Sequence, residues 1–240
     1  MKRPIILTII NLVVIILLSF EGFGQSSGDF LRMGNEKYSK QDFRGAIDEY
    51  SKAIELSSGF ANAYFKRGMA KREIKDDSGA IADFTKAIEL KPKNAKIYYE
   101  RGITYINQQK FIEAVVDFTK YLDKNPMNYD AIYYRGISKT FLMDYRGAIA
   151  DFTEAIKNNP DNMKYYTGRG DAKYRIQDYM GAIADFSKAL EFDPKSSTAF
   201  VGRGMAKIFA GQKDDGCMDL SRAGELGFAE AYTYIKQYCN

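Results

Sequence analysis

A chain of 240 residues with 45% apolar and 28% charged residues can bury a core and stay in solution, which excludes a wholly disordered or low-complexity polymer. Its net charge of +4 is spread over 35 basic and 31 acidic residues of interspersed sign, so it lacks the basic stripe that grips nucleic acid. Histidine is absent, which removes the commonest general base and metal ligand, and two distant cysteines make no metal site, so neither catalysis nor a cofactor is expected.

The amino terminus differs from the rest. Lys2 and Arg3 precede an apolar block from Ile5 to Phe20, and Gly22-Phe23-Gly24 offers small residues at the positions an export peptidase reads. Residues 1–24 are therefore expected to be a signal peptide cleaved before Gln25, with an uncleaved membrane anchor through residues 5–20 as the alternative. Cleavage would place the protein in the periplasm, at the outer envelope or outside the cell; the alternative would anchor it in the inner membrane by residues 5–20. No cysteine follows the cleavage region, which leaves the lipoprotein route unsupported.

From Ser27 onward a period of 34 residues governs the chain. Glycines recur at Gly34, Gly68, Gly102, Gly136, Gly170 and Gly204; bulky residues at Tyr50, Phe84, Phe118, Phe152, Phe186 and Leu220; small ones at Ala46, Ala80, Ala114, Ala148, Ala182 and Gly216. Pro92, Pro126, Pro160 and Pro194 keep the same register. The units are 27–60, 61–94, 95–128, 129–162, 163–196 and 197–228, followed by a short amphipathic helix within 229–240. Inside each unit apolar residues return every three or four positions in two blocks, such as Tyr129–Leu142 and Tyr145–Ile156, which predicts two helices per repeat. Asp42, Asp76, Asp144 and Asp178 stand where the second helix needs an N-cap, and the proline ends it. The glycine and alanine columns are expected where two antiparallel helices approach closely and a facing aromatic fills what remains.

A second pair of columns carries charge. Arg67, Arg101, Arg135, Arg169 and Arg203 recur on the first helix, and Asp83, Asp117, Asp151, Asp185 and Asp219 on the second; the first unit has Met33 and Glu49 instead. Five copies argue for bridges that hold the fold rather than for a catalytic pair. At the carboxyl end, Ala231, Tyr234, Ile235 and Tyr238 share one face of the final helix, suited to cover the last repeat. Cys217 and Cys239 are equidistant from the turn at Phe228, so their sulfurs can meet across an antiparallel pair; an exported protein would oxidise them, and the alternative is two small buried residues filling space.

Ile132 or its neighbour Tyr133, with Gly136, Ala148, Phe152, Ala155 and Pro160 of the fourth unit, resemble the tetratricopeptide repeat, and the likeness extends over about residues 27 to 228. The arginine column departs from that family's usual leucine. The resemblance implies an all-α solenoid, a right-handed superhelix of helix-turn-helix repeats, whose concave groove binds a protein or peptide. Carried over position by position, the groove comprises Phe65, Met69, Arg72, Lys96, Tyr99, Ile103, Ile106, Tyr133, Ile137, Thr140, Phe141, Asp171, Tyr174, Val201 and Met205, with Phe65, Tyr99 and Tyr133 as a ladder of rings. The family's carboxylate clamp for chaperone tails is not matched: Leu31 and Glu100 stand at clamp positions, and only Asn35 and Lys96 fit. The expected function is a non-enzymatic interaction scaffold in the envelope. A glycan or small-ligand binder using the tyrosines is the alternative from another class, and an architectural tether through an uncleaved anchor a third.

Overall fold

The structure, a computed structural model, describes residues 25–91 and 93–239; the leader expected at 1–24 and Pro92 lie outside them. Among the described residues there are thirteen helices and no strand. In chain order they are α1 Ser27–Ser39, α2 Phe43–Leu56, α3 Ala61–Glu73, α4 Asp77–Leu90, α5 Ala95–Asn107, α6 Phe111–Leu122, α7 Tyr129–Phe141, α8 Tyr145–Asn158, α9 Met163–Arg175, α10 Tyr179–Phe192, α11 Ser197–Phe209, α12 Lys213–Glu225 and α13 Ala231–Tyr238. No helix among the described residues is long and apolar enough to cross a membrane.

The chain divides into two compact units, one up to Pro92 and one from Lys93. The first holds α1–α4, two repeats; the second holds α5–α13, four repeats and the terminal helix. No Gly/Ser linker marks that division in the sequence. In each unit a first helix packs on its own second helix, which packs on the next first helix, and successive first helices also touch. Burial is therefore between neighbours in sequence, as in a solenoid.

Local signals start and stop these helices. Ser26 and Asp29 form a capping box at α1. Asp42, Asp76, Asp144 and Asp178 accept from the backbone N–H of Gly45, Gly79, Gly147 and Gly181, capping α2, α4, α8 and α10. Lys110 and Gln212 occupy the same place before α6 and α12 and form no such bond. The turn inside each repeat passes through one left-handed residue: Gln41, Lys75, Gln109, Met143 and Gln177 at φ of 57–66°, and Gly211 at 85°. In the first five repeats a side chain tolerates that conformation at a cost of roughly 1–2 kcal/mol, and only the sixth avoids it with glycine.

Packing explains the columns. A Cβ placed on Gly34, Gly68, Gly102, Gly136 or Gly170 would meet the ring of Tyr50, Phe84, Phe118, Phe152 or Phe186 at 2.4–3.2 Å, so each glycine is the floor on which an aromatic from the paired helix lies. Tyr50, Phe84, Phe118 and Phe152 have no exposed surface, and neither do Ala46, Ala80, Ala114, Ala148 and Ala182. Tyr50 additionally donates its hydroxyl to Asn35 Oδ1 at 2.9 Å, and burial pushes its phenol up to about 12.

The charged columns meet within each repeat. Arg67, Arg101, Arg135, Arg169 and Arg203 each donate Nε and Nη2 to the two oxygens of Asp83, Asp117, Asp151, Asp185 and Asp219 at 2.7–3.0 Å. In four repeats a lysine one turn after the arginine, Lys71, Lys139, Lys173 or Lys207, adds a contact at 2.8 Å. Tyr105 replaces that lysine in the third repeat and lies under the Arg101 guanidinium, 5.5 Å from ring centre. In the first repeat Lys37 and Lys52 serve Glu49 at 2.7 and 3.2 Å. Arg67, Arg169 and Arg203 also reach Ser51, Thr153 and Ser187 of the preceding repeat through Nη1, at 3.0, 3.2 and 3.4 Å, so the same side chain staples successive hairpins.

Candidate functional site

The first helices leave one face of the second unit uncovered, and three adjoining cavities lie on it. One of about 270 Å³ is lined by Tyr133, Ile137 and Thr140 of α7, Met163, Lys164, Thr167, Gly168 and Asp171 of α9, and Thr198 of α11. A second, about 290 Å³, lies between Asp171, Tyr174 and Arg175 of α9, Phe186 of α10, Val201, Gly202 and Met205 of α11, and Tyr234 of α13. A third, about 390 Å³, runs from Ile137, Thr140 and Phe141 past Met143 and Tyr145 to Asp171 and Arg175. Asp171 borders all three, so they form one trough branching around a single carboxylate.

Local sequence builds this trough. Gly168 and Gly202 come two residues before the column glycines Gly170 and Gly204, where other first helices carry Arg32, Lys66, Glu100 or Tyr134. A Cβ there would lie 2.7 Å from Phe152 and 2.4 Å from Phe186, so the ring of the preceding repeat rises against bare backbone and no side chain fills the space above. Thr140 and Thr167, which line the first cavity, donate their hydroxyls to the carbonyls of Gly136 and Met163 and so have no free hydroxyl proton to offer there.

Of the groove residues expected from the sequence, Tyr133, Ile137, Thr140, Phe141, Asp171, Tyr174, Val201 and Met205 line the cavities. Ile103 and Ile106 instead pack on the core around Phe118 and Ile132. Lys96 is exposed on α5, while Met69 and Arg72 are half-buried on α3 in the other unit. The ladder of rings requires correction. Phe65 is 5% exposed and its ring lies 5.9 Å from that of Phe84, a core contact rather than a groove contact. Tyr99 is hemmed in by Phe118, Tyr121 and Tyr134 at centroid distances of 5.8, 5.0 and 6.4 Å, and Tyr133 by Tyr134, Phe152 and Tyr165 at 5.4–5.9 Å. Burial raises the phenols of both, Tyr99 to about 12. Phe65 and Tyr99 fill the gaps between hairpins, whereas Tyr133 packs on three rings and also lines the first cavity.

Sequence reasoning missed Met163, Lys164, Thr167, Gly168, Arg175, Gly202 and Tyr234. The doubled glycines in TGRG and VGRG were the available signal for two of them. Tyr234 depends on α13, whose position follows from a covalent tie: Cys217 of α12 and Cys239 just after α13 are joined by a disulfide with Cα atoms 5.9 Å apart. Within α13 only Ala231 is buried, and Tyr238 meets Phe209 edge-on at 5.7 Å.

The electrostatics single out Asp171. The apolar side chains around it push its carboxyl up, and Arg175 pulls it back. Arg175 Nε stands 3.8 Å away, and the two side chains are 56% and 46% exposed. Among the described residues no cluster of three or more His, Cys, Asp or Glu side chains is placed to hold a metal ion.

Stacked hairpins with a first-helix trough define a helical-repeat scaffold. Tetratricopeptide-repeat family models match residues 34–71, 68–109 and 142–197, together more than half of the chain. The chain belongs to the tetratricopeptide repeat family. Among solved structures it is similar to YrrB, described as a TPR protein with an unusual peptide-binding site, at 23% identity and a TM-score of 0.68 over 78% of this chain and 97% of that one. It is also similar to PilW, a type IV pilus biogenesis factor, at 17% identity and a TM-score of 0.70 over 88% and 99%. A tetratricopeptide repeat protein from Parabacteroides merdae superposes at 21% identity and a TM-score of 0.59 over 89% and 84%. Likeness at these identities establishes the fold. Among curated proteins no relative matches the sequence.

Proposed function

We propose that the chain is a non-catalytic interaction scaffold that holds a peptide segment, extended or helical, in the trough of its second unit. One observation carries the reading: three cavities on one face of consecutive first helices converge on a single carboxylate, with mostly apolar walls and isolated polar groups. Such a surface offers apolar anchoring for affinity and sparse polar groups for register. A glycan stacked on tyrosines is the second reading: Tyr99 lines none of the three cavities, but Tyr133 and Tyr174 do. We place the scaffold outside the cytoplasm, in an envelope complex. The leader-like residues 1–24 and a Cys217–Cys239 bridge, which persists in oxidising compartments, support that placement.

Peptide display panned on the full chain tests the reading. Enriched peptides should lose binding to Ile137→Arg and Met205→Arg, which fill the trough, and keep it with Ile112→Arg, a change at an exposed α6 position. Peptides that bind Ile137→Arg and Met205→Arg as tightly as the native chain would refute the site.

A further inference from the structure

The cavity between α9, α11 and α13 gathers more rings than its two neighbours, which also hold Asp171, a methionine and one or two aromatic rings. Tyr174, Phe186 and Tyr234 bring three rings from three helices, Met205 a thioether and Asp171 a carboxylate. Ring faces carry negative potential and a thioether is polarisable, so these groups favour a positive charge, and Arg175, which also lines the cavity, is the cation already beside them. Gly202 sets bare backbone against the Phe186 ring, which is 3% exposed and forms the cavity's floor.

Asp171 is set apart from the chain's repeated aspartates. Asp83, Asp117, Asp151, Asp185 and Asp219 are each held by an arginine at hydrogen-bond distance, whereas Asp171 has among the described residues only Arg175, at 3.8 Å. In the same column the other first helices carry Asn35, Met69, Ile103, Ile137 and Met205, so the carboxylate is not a repeat-packing residue. It is also the one carboxylate among the described residues lining the three cavities. A half-exposed carboxylate beside apolar walls, with its nearest cation 3.8 Å away, is open to pairing with an incoming cation.

We propose that this cavity receives a basic side chain, lysine or arginine, of the bound peptide. The peptide's ammonium or guanidinium group pairs with Asp171 against the rings of Tyr174 and Tyr234, while apolar residues on either side occupy the two neighbouring cavities. Arg175 is the resident cation that the peptide's own displaces from Asp171. The inference rests on the peptide-binding reading and adds to it the chemistry of the central anchor.

The peptides enriched by display on the full chain supply the probe, each resynthesised with norleucine in place of its basic residue. The expected result is a basic residue enriched at one position and an affinity that falls about tenfold with Asp171→Asn, while the norleucine form changes by less than about twofold. Arg175→Gln, which removes the competitor, should tighten the basic peptide, and Tyr234→Ala should weaken it; a merely structural role for Asp171 and Arg175 would not give opposite signs. Selection without a basic position overturns the inference, as does a basic-over-norleucine preference that survives Asp171→Asn; both leave peptide binding intact. Display that enriches nothing competing for the trough overturns both readings.

Discussion

Replacing Asp151 with alanine should destabilise the fourth repeat more than any other single polar change in it. Asp151 is 5% exposed and accepts from Arg135 Nε at 3.0 Å, Arg135 Nη2 at 2.7 Å and Lys139 Nζ at 2.8 Å. Without the carboxylate, two cations from α7 face each other beside the α7–α8 contact, only 18% and 20% exposed. Breaking a buried ion pair by removing one partner costs about 3–5 kcal/mol, and the residual exposure of both cations sets the expectation at the lower end, about 3 kcal/mol. Arg135→Met is the contrasting change. It leaves Asp151 paired with Lys139 and replaces the guanidinium by an apolar group, for about 1–2 kcal/mol. The third repeat is an internal control, because Tyr105 stands where Lys139 does and Asp117→Ala takes the carboxylate from one column cation rather than two. Urea unfolding followed by far-UV circular dichroism reads the total, and amide exchange in α7 and α8 localises it, since stability in stacked repeats is a sum of neighbour terms. For a chain of this size about 3 kcal/mol corresponds to a fall in Tm of about 6–12 °C. Asp151→Ala within about 0.5 kcal/mol of the native chain, or Arg135→Met costing more than Asp151→Ala, would refute the account of the columns as desolvated bridges.

Two further outcomes follow from the packing. Gly136→Leu drives a side chain into Phe152, whose Cε1 already lies 2.9 Å from where a Cβ would sit and whose ring is fully buried, so thermal melting should show a loss of about 1–3 kcal/mol or more; an unchanged Tm would move the glycine column off the helix contact. Tyr50 keeps its proton up to about 12 in the folded chain, whereas an unfolded tyrosine releases it near about 10. Its contribution is therefore complete below about pH 10 and lost as pH rises towards about 12, and Tyr50→Phe should flatten the fall in stability over that window in a pH series of urea melts. A native slope that Tyr50→Phe leaves unaltered would show that the hydroxyl is not held as described.

Much of the fold was legible because a repeat states each constraint six times. The 34-residue spacing located every hairpin, the aspartates before α2, α4, α8 and α10 located their starts, and the glycine column located the close helix contact. These are local or nearest-neighbour effects, in which sequence separation determines spatial separation. The Arg–Asp columns were legible as pairs, but only the structure placed them within a hairpin and showed Arg67, Arg169 and Arg203 reaching back to the preceding one.

The site was legible only as a face. Periodicity and family likeness put Ile137, Asp171 and Met205 on the first helices, yet the same rule placed Phe65 in the groove, although it is buried against Phe84. Whether a side chain on that face points into solvent or into the gap between hairpins depends on its length and on what the next repeat presents, which is a packing question. So is the trough itself. Gly168 and Gly202 open it by letting Phe152 and Phe186 rise to the backbone, and Tyr234 closes one end of it because a bond between Cys217 and Cys239 carries α13 there. The sequence by itself determined the hairpins and their order, since each is set by contacts a few residues long. The sequence also put Asp171 in the groove as its one carboxylate; tertiary structure alone decided that three cavities meet there, because that depends on side chains from α7, α9, α11 and α13 that no single repeat contains.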